Sequence, residues 1–233
     1  MGRKRSDLAE EFRPGFEFYG GNMGGGKTNE LIRFLQRANF VELGVQAFKK
    51  LGDKRYEKDF IYSNGGDLKY PATAVSSTEE MVSKIRPDTQ IIGFDELQFW
   101  DENIISFIKN RMRDVRIVAS GVIMDYRKES FPFRSLENFA KDSEKKVTDV
   151  LHLAQKVNLF WPVCTYRDHS GKICGNVADY VQRWNPEGNP SSYDEPTLGI
   201  GKVVSNEEER IKTCNEGMYS YAVRCVDHYL GFE

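Results

Sequence analysis

Gly21-Asn22-Met23-Gly24-Gly25-Gly26-Lys27-Thr28 constrains this chain more than any other stretch. It fits G-x-x-x-x-G-K-[ST], follows the apolar run Phe16-Glu17-Phe18-Tyr19, and opens a pattern in which Leu31, Ile32, Leu35 and Ala38 recur at helical spacing. Strand, glycine loop and helix in that order make a phosphate cradle. The glycines let backbone N–H groups curl around phosphate oxygens with no Cβ in the way, and the helix N-terminus adds the positive end of its dipole. Lys27 then reaches the β- and γ-phosphates, and the Thr28 hydroxyl is placed to ligate Mg²⁺.

A chain of 233 residues is long enough for one medium domain with an appendage and for a real core. Its formal net charge of −2, with Lys/Arg and Asp/Glu in balance, gives no electrostatic case for a nucleic-acid surface. No apolar run reaches transmembrane length, no hydrophobic signal region follows Met1, and the cysteines number only 4. A cytoplasmic protein with reduced or metal-bound thiols, and with no membrane or nucleic-acid partner, is the expectation. The opening Met1-Gly2-Arg3-Lys4-Arg5-Ser6 matches a myristoylation pattern and a basic tag, and reads best as part of a flexible tail over residues 1–14.

Beyond the first helix, strands are expected at Gly44–Phe48, Gln90–Phe94 and Val115–Gly121, and a further one at Val147–Leu153. Helices are expected from Thr78 to a stop near Arg86-Pro87, from about Glu102 to Met112, and around Ser135 to Ser143. Lys49 to Asp59 reads as an exposed, mobile loop. Strands alternating with helices imply a parallel sheet with right-handed crossovers, an α/β fold over residues 15–154. From 155 to 233 the chain carries every cysteine and Gly/Asn/Pro/Ser-rich stretches such as Asn185 to Ser192, a loop-rich unit too poor in periodic apolar residues to fold on packing alone.

Asp95 and Glu96 stand at the carboxyl end of the apolar strand Ile91-Ile92-Gly93-Phe94, the sheet edge where ligands sit in open α/β folds. Next to a phosphate loop, an Asp here holds Mg²⁺ directly or through water, and the adjacent Glu is left to accept a proton from an attacking hydroxyl or water. A pair of exposed acids at the start of a loop is the alternative.

Four blocks in order resemble the type II thymidine kinases: Phe18 to Arg33, Asp95-Glu96-Leu97-Gln98-Phe99, Gly121 to Phe131, and Tyr221 to Tyr229. The resemblance implies a P-loop, RecA-like parallel sheet flanked by helices and a small C-terminal zinc-binding lasso domain. It also implies a cytosolic homotetramer moving the γ-phosphate of ATP to the 5′-hydroxyl of thymidine. Carried over, Glu96 is the general base, Thr28 and Asp95 sit around Mg²⁺, and Gly21, Asn22, Met23, Gly24, Gly25, Gly26, Lys27 and Thr28 take the ATP phosphates. Met23, Phe99, Val122, Tyr126 and Phe131 fall where the family packs the thymine ring, with ordinary core packing as the alternative. Arg127 matches a family arginine that serves as a ligand contact or a salt bridge.

Leu97 stands where the family has Ala or Gly, Ile123 replaces an Asp, and Lys128 and Ser130 replace a Gly and a Pro. Val181 stands where a family Thr often touches the base, so a kinase of another deoxynucleoside is one alternative reading. A nucleic-acid-dependent P-loop ATPase is the other, since P-loop plus Asp-Glu also describes helicase cores. The resemblance assigns structural Zn²⁺ to Cys164, Cys174, Cys225 and His228, with Thr165 to Ile173 inserted between the first two, and leaves Cys214 as a thiol open to labelling. His169 lies in that insertion as a substitute ligand or an exposed loop residue. Val203 to Met218 is expected to be a mobile lid, hinged at Gly199, Gly201 and Gly217, whose closure brings Tyr221 toward the nucleoside.

Overall fold

A computed structural model describes residues 9–51, 59–63, 66–133, 143–197 and 201–231. By their internal contacts these form two compact units. One comprises the chain up to Gly20, Gly26–Ile123 and Pro132–Leu159; the other comprises Gly21–Gly25, Met124–Phe131 and the chain from Phe160. Two short segments, Gly21–Gly25 and Met124–Phe131, thus group with the chain from Phe160.

In the first unit, strands β1 (Gly15–Gly21), β2 (Val45–Lys50), β5 (Thr73–Val75), β6 (Ile91–Phe94), β7 (Arg116–Ser120) and β8 (Lys156–Phe160) form one sheet in the order β5-β2-β6-β7-β1-β8. The pairings β2–β5, β2–β6, β6–β7 and β1–β7 are all parallel. Helices α1 (Lys27–Phe40), α2 (Thr78–Ser83) and α3 (Asn103–Arg111) supply crossovers, and β3 (Phe60–Tyr62) with β4 (Lys69–Pro71) makes an antiparallel ribbon. β1 and β6 are buried along their whole length, as strands of a sheet covered on both faces must be. Glu17 on β1 is buried too, and is met by Arg116 of β7 and by Lys156 and Asn158 of β8, so its charge does not stand alone.

The expected strand at Val147–Leu153 is instead a 3₁₀ stretch. Its buried residues, Val147 and Val150, recur at three, and the Asp149 carboxylate turns back onto the Lys146 N–H at 2.9 Å. Lys49 and Lys50, expected in a loop, are buried at the end of β2; Lys49 Nζ donates to the Phe60 carbonyl at 2.9 Å. Ordered structure also begins before Gly15: Glu10–Phe12 form a 3₁₀ turn, and Phe12 packs edge-on against Phe34 with ring centroids 5.5 Å apart. The expected helix around Ser135 to Ser143, most of the Lys49–Asp59 segment, the hinge Gly199 and the Met1–Ser6 pattern lie outside the described residues.

In the second unit, β9 (Tyr180–Trp184), β10 (Gly201–Val203) and β11 (Tyr219–Arg224) pair in the order β10-β11-β9, with α4 (Glu207–Asn215) between β10 and β11. The expected lid is thus largely a capped helix. The Asn206 side chain accepts the Glu209 N–H at 2.8 Å, and Thr213 and Cys214 are buried. Cys214 packs with Trp184, Val204 and Ala222, an apolar contact that the run Glu207-Glu208-Glu209 had hidden.

Candidate active site and metal centre

The sheet order puts β7 between the strand leading to the glycine loop and the strand leading to the acidic pair. In the first unit this brings Thr28, Asp95 and Ser120 together at one edge. Thr28 Oγ1 donates to Asp95 Oδ1 at 3.1 Å, and the Ser120 hydroxyl donates to the same oxygen. Ser120 lies one residue beyond the Phe94–Ala119 register pair, so its place beside Asp95 follows from the parallel alignment of β6 and β7. Sequence reasoning missed Ser120; its signal was a hydroxyl at the end of the adjacent buried strand. The Asp95 carbonyl accepts from Trp100 Nε1 at 3.2 Å, fixing the turn after β6 to a fully buried indole.

Asp95 keeps some exposed surface, but its carboxylate is enclosed by protein atoms. That desolvation, joined by the negative charge of Glu96, raises its pKa from the usual carboxylate range to about 7, against the pull of the Ser120 and Thr28 hydroxyls. Lys27 is buried, and desolvation lowers its pKa while Glu96 and Asp95 oppose the shift. Glu96 takes a left-handed backbone, φ 49° and ψ 57°, at the head of the 3₁₀ turn Leu97–Phe99. Non-glycine residues hold that conformation uncommonly.

Gly26 has φ +94° and starts α1, so its backbone carries the left-handed turn that a side chain would resist. In the second unit, a Cβ on Gly25 would lie 2.4 Å from the Phe160 carbonyl oxygen. Asn22 is buried and donates to the Ala178 carbonyl at 3.4 Å, and Gly25 N–H closes a turn on Asn22 O at 3.3 Å. These are the features of a backbone loop kept clear of side chains, as phosphate binding requires.

The residues expected around the base divide between the units. Phe99 is half-buried and Val122 buried in the first; in the second, Met23 and Tyr221 are half-buried and Tyr126, Phe131 and Val181 buried. Tyr126 donates its hydroxyl to the Ser192 carbonyl at 2.7 Å, and its ring lies 3.6 Å beneath the buried Arg183 guanidinium. Arg127 is a salt bridge: it holds Asp125 at 2.6 Å and reaches Thr197 Oγ1 at 2.8 Å. Lys128 has φ +64°, a backbone that favours glycine, and its ammonium is held by Asp179 at 3.0 Å and over the Tyr180 ring at 3.7 Å.

Cys164, Cys174, Cys225 and His228 bring their ligand atoms within 4.8 Å of one another. The His228 Nδ1 lies 3.3 Å from Cys225 Sγ and 3.7 Å from Cys164 Sγ, and Cys174 and Cys225 sulfurs are 3.9 Å apart. A tetrahedron of thiolates at the usual zinc–sulfur distance has edges of about 3.8 Å, so these three thiols and one imidazole fit zinc. The Tyr166 ring, from the inserted Thr165–Ile173 hairpin, stacks on His228 at 3.9 Å between centroids, 13° from parallel. His169 is exposed and is not part of this cluster. Cys214 is a free thiol but is buried, 3.4 Å from Ser220 Oγ, so the expected ease of labelling does not hold. No described helix is long and apolar enough to cross a membrane.

Lys27 and Thr28 at the start of α1, the Asp-Glu pair at the end of β6, and the Thr28 and Ser120 hydroxyls on Asp95 are the parts of a P-loop phosphotransferase. A family model described as thymidine kinase matches residues 15–229, and the chain belongs to that family. It is an ATP-dependent kinase that phosphorylates thymidine.

Proposed function

We propose that the chain transfers the γ-phosphate of ATP to the 5′-hydroxyl of thymidine, giving dTMP for nucleotide salvage and DNA synthesis, with Glu96 as the base. The observation carrying this reading is the Thr28–Asp95–Ser120 cluster beside Glu96 at the tips of β6 and β7. Lys27 and the backbone of Gly21–Gly26 bind the phosphates, and Glu96 accepts the proton as the hydroxyl attacks. The oxygens of Thr28 and Asp95 suit Mg²⁺, a hard cation that supplies charge neutralisation on the phosphates. Burial leaves Lys27 poorly hydrated, so its charge is better satisfied by phosphate than by water.

Met23, Phe99, Val122, Tyr126, Phe131, Val181 and Tyr221 are assigned to the nucleoside by family position. Val181, buried on β9, supplies methyl groups where a hydroxyl would touch the base, which favours a second deoxynucleoside as the alternative substrate. Zinc is proposed to hold Cys164, Cys174, Cys225 and His228 as a structural ion. A cytoplasmic homotetramer is proposed from family membership alone, and light scattering checks it. A coupled ATP assay across a nucleoside panel tests the function: thymidine is expected to give the highest kcat/KM. Turnover stimulated by polynucleotide and unmoved by thymidine would replace this reading with an ATPase.

A further inference from the structure

Gln98 sits inside the 3₁₀ turn that follows Glu96 and is 2% exposed. Its Oε1 accepts the Val122 N–H at 3.0 Å, and its Nε2 donates to Glu96 Oε2 at 2.6 Å. A backbone N–H can only donate, so the Val122 contact decides which end of the amide is oxygen. The NH₂ end therefore faces Glu96. The seat is close: a Cβ on Gly121 would stand 3.1 Å from Gln98 Oε1.

We propose that Gln98 is the positioning residue for the base, an amide clamp that ties one Glu96 oxygen to the chain just beyond β7 and so sets the angle at which the carboxylate meets the hydroxyl. This rests on the reading of Glu96 as the base. The left-handed backbone at Glu96 turns the side chain out of the ordinary strand direction, and a carboxylate on rotatable bonds needs a fixed partner to hold a productive angle. Gln98 supplies that partner from two residues away, and Val122 anchors it from a separate element. The clamp touches neither nucleotide nor nucleoside in this role; it acts through Glu96.

Gln98→Glu separates the two ends. It keeps an acceptor for Val122 N–H and nearly the same shape, while presenting oxygen where Glu96 needs a donor. Steady-state kinetics of Gln98→Glu should show kcat reduced roughly 10- to 100-fold, with KM for thymidine and ATP within about twofold. In a Glu96→Gln background the same substitution should cost less than about twofold, because the group it positions is gone. Gln98→Met, which removes both contacts, gives the same split and serves if Gln98→Glu folds poorly. Wild-type kcat in both variants, or an equal cost in both backgrounds, overturns the clamp while leaving Glu96 as base. Unchanged turnover in Glu96→Gln alone overturns the base itself, and the clamp with it.

Discussion

The two units reach order by different means. The first buries Phe16, Phe18, Phe48, Ile92, Phe94 and Trp100 completely around a sheet covered on both faces. Among its described residues the second has two small buried clusters, and one of them, Cys164, Ala178, Val223 and Cys225 with Cys174 packed against it, is built mostly from the proposed metal ligands. In that cluster, core and candidate metal site are largely the same side chains. Where apolar area is scarce, a zinc ion on the proposed ligands would supply order that packing does not. The first unit, with packing to spare, can instead hold an enclosed carboxylate and a buried lysine at its sheet edge.

Metal removal is the largest expected effect. Structural zinc contributes an apparent ~10–16 kcal/mol in small domains, more than the second unit's clusters can replace. Chelation should release one zinc per chain, read with a chromogenic chelator, and open the 160–231 region to protease while Gly26–Ile123 stays resistant. An unchanged digestion pattern in metal-free protein would break the contrast. Next in size, Phe94→Ala removes a ring packed against Trp100 and Phe107, with centroids 5.0 and 6.0 Å away. A urea melt should show a loss of about 3–5 kcal/mol, with zinc content unmoved. Loss of zinc in that variant would mean that the units do not hold their order separately.

Asp95 gives a smaller effect with a defined pH dependence. Its folded pKa, about 7, lies above its ordinary value of 3.8, so the folded state holds its proton more tightly. Stability of the magnesium-free, zinc-loaded protein should therefore fall as pH rises between those values, with the penalty complete above pH 7. Asparagine keeps an oxygen for the Thr28 and Ser120 hydroxyls without the charge. Asp95→Asn should raise stability at pH 8 by about 1–2 kcal/mol, leave it unchanged at pH 3, and abolish turnover. A variant less stable at both pH values would show that the carboxylate is satisfied in the fold. Smallest of all, native Cys214 should react with a thiol reagent at least roughly tenfold more slowly than in denaturant, as its packing against Trp184 implies. Equal rates would return this segment to the mobile lid that its acidic run suggested.

Much of the first unit was legible because local signals and global fold agree. Apolar runs gave β1, β2, β6 and β7, Ser77 capped α2 by accepting the Glu80 N–H, and the loop before Lys27 announced itself by its glycines. The exception at Val147–Leu153 came from reading an apolar content without its period of three. The proposed zinc ligands were legible only through family order, since nine residues separate Cys164 from Cys174 and spacing alone would not pair them. Helix α4 hid behind its charges, because the apolar face that holds it amounts to little more than Cys214 and Thr213. The roles of Ser120 and Gln98 were missed for another reason. Their roles depend on which atoms turn toward Asp95 and Glu96, Ser120 from the neighbouring strand and Gln98 from the turn after β6, and a linear pattern does not give that direction.

The account stands on phosphoryl transfer at Lys27, Asp95 and Glu96. The most direct test incubates ATP labelled at the γ-phosphate with thymidine and either the wild-type chain or Lys27→Ala, and follows label into dTMP. The wild type should transfer label. Lys27→Ala should transfer none above background while keeping its circular dichroism spectrum and its zinc. Transfer at near wild-type rate by a folded Lys27→Ala, or none by the wild type, would contradict the account.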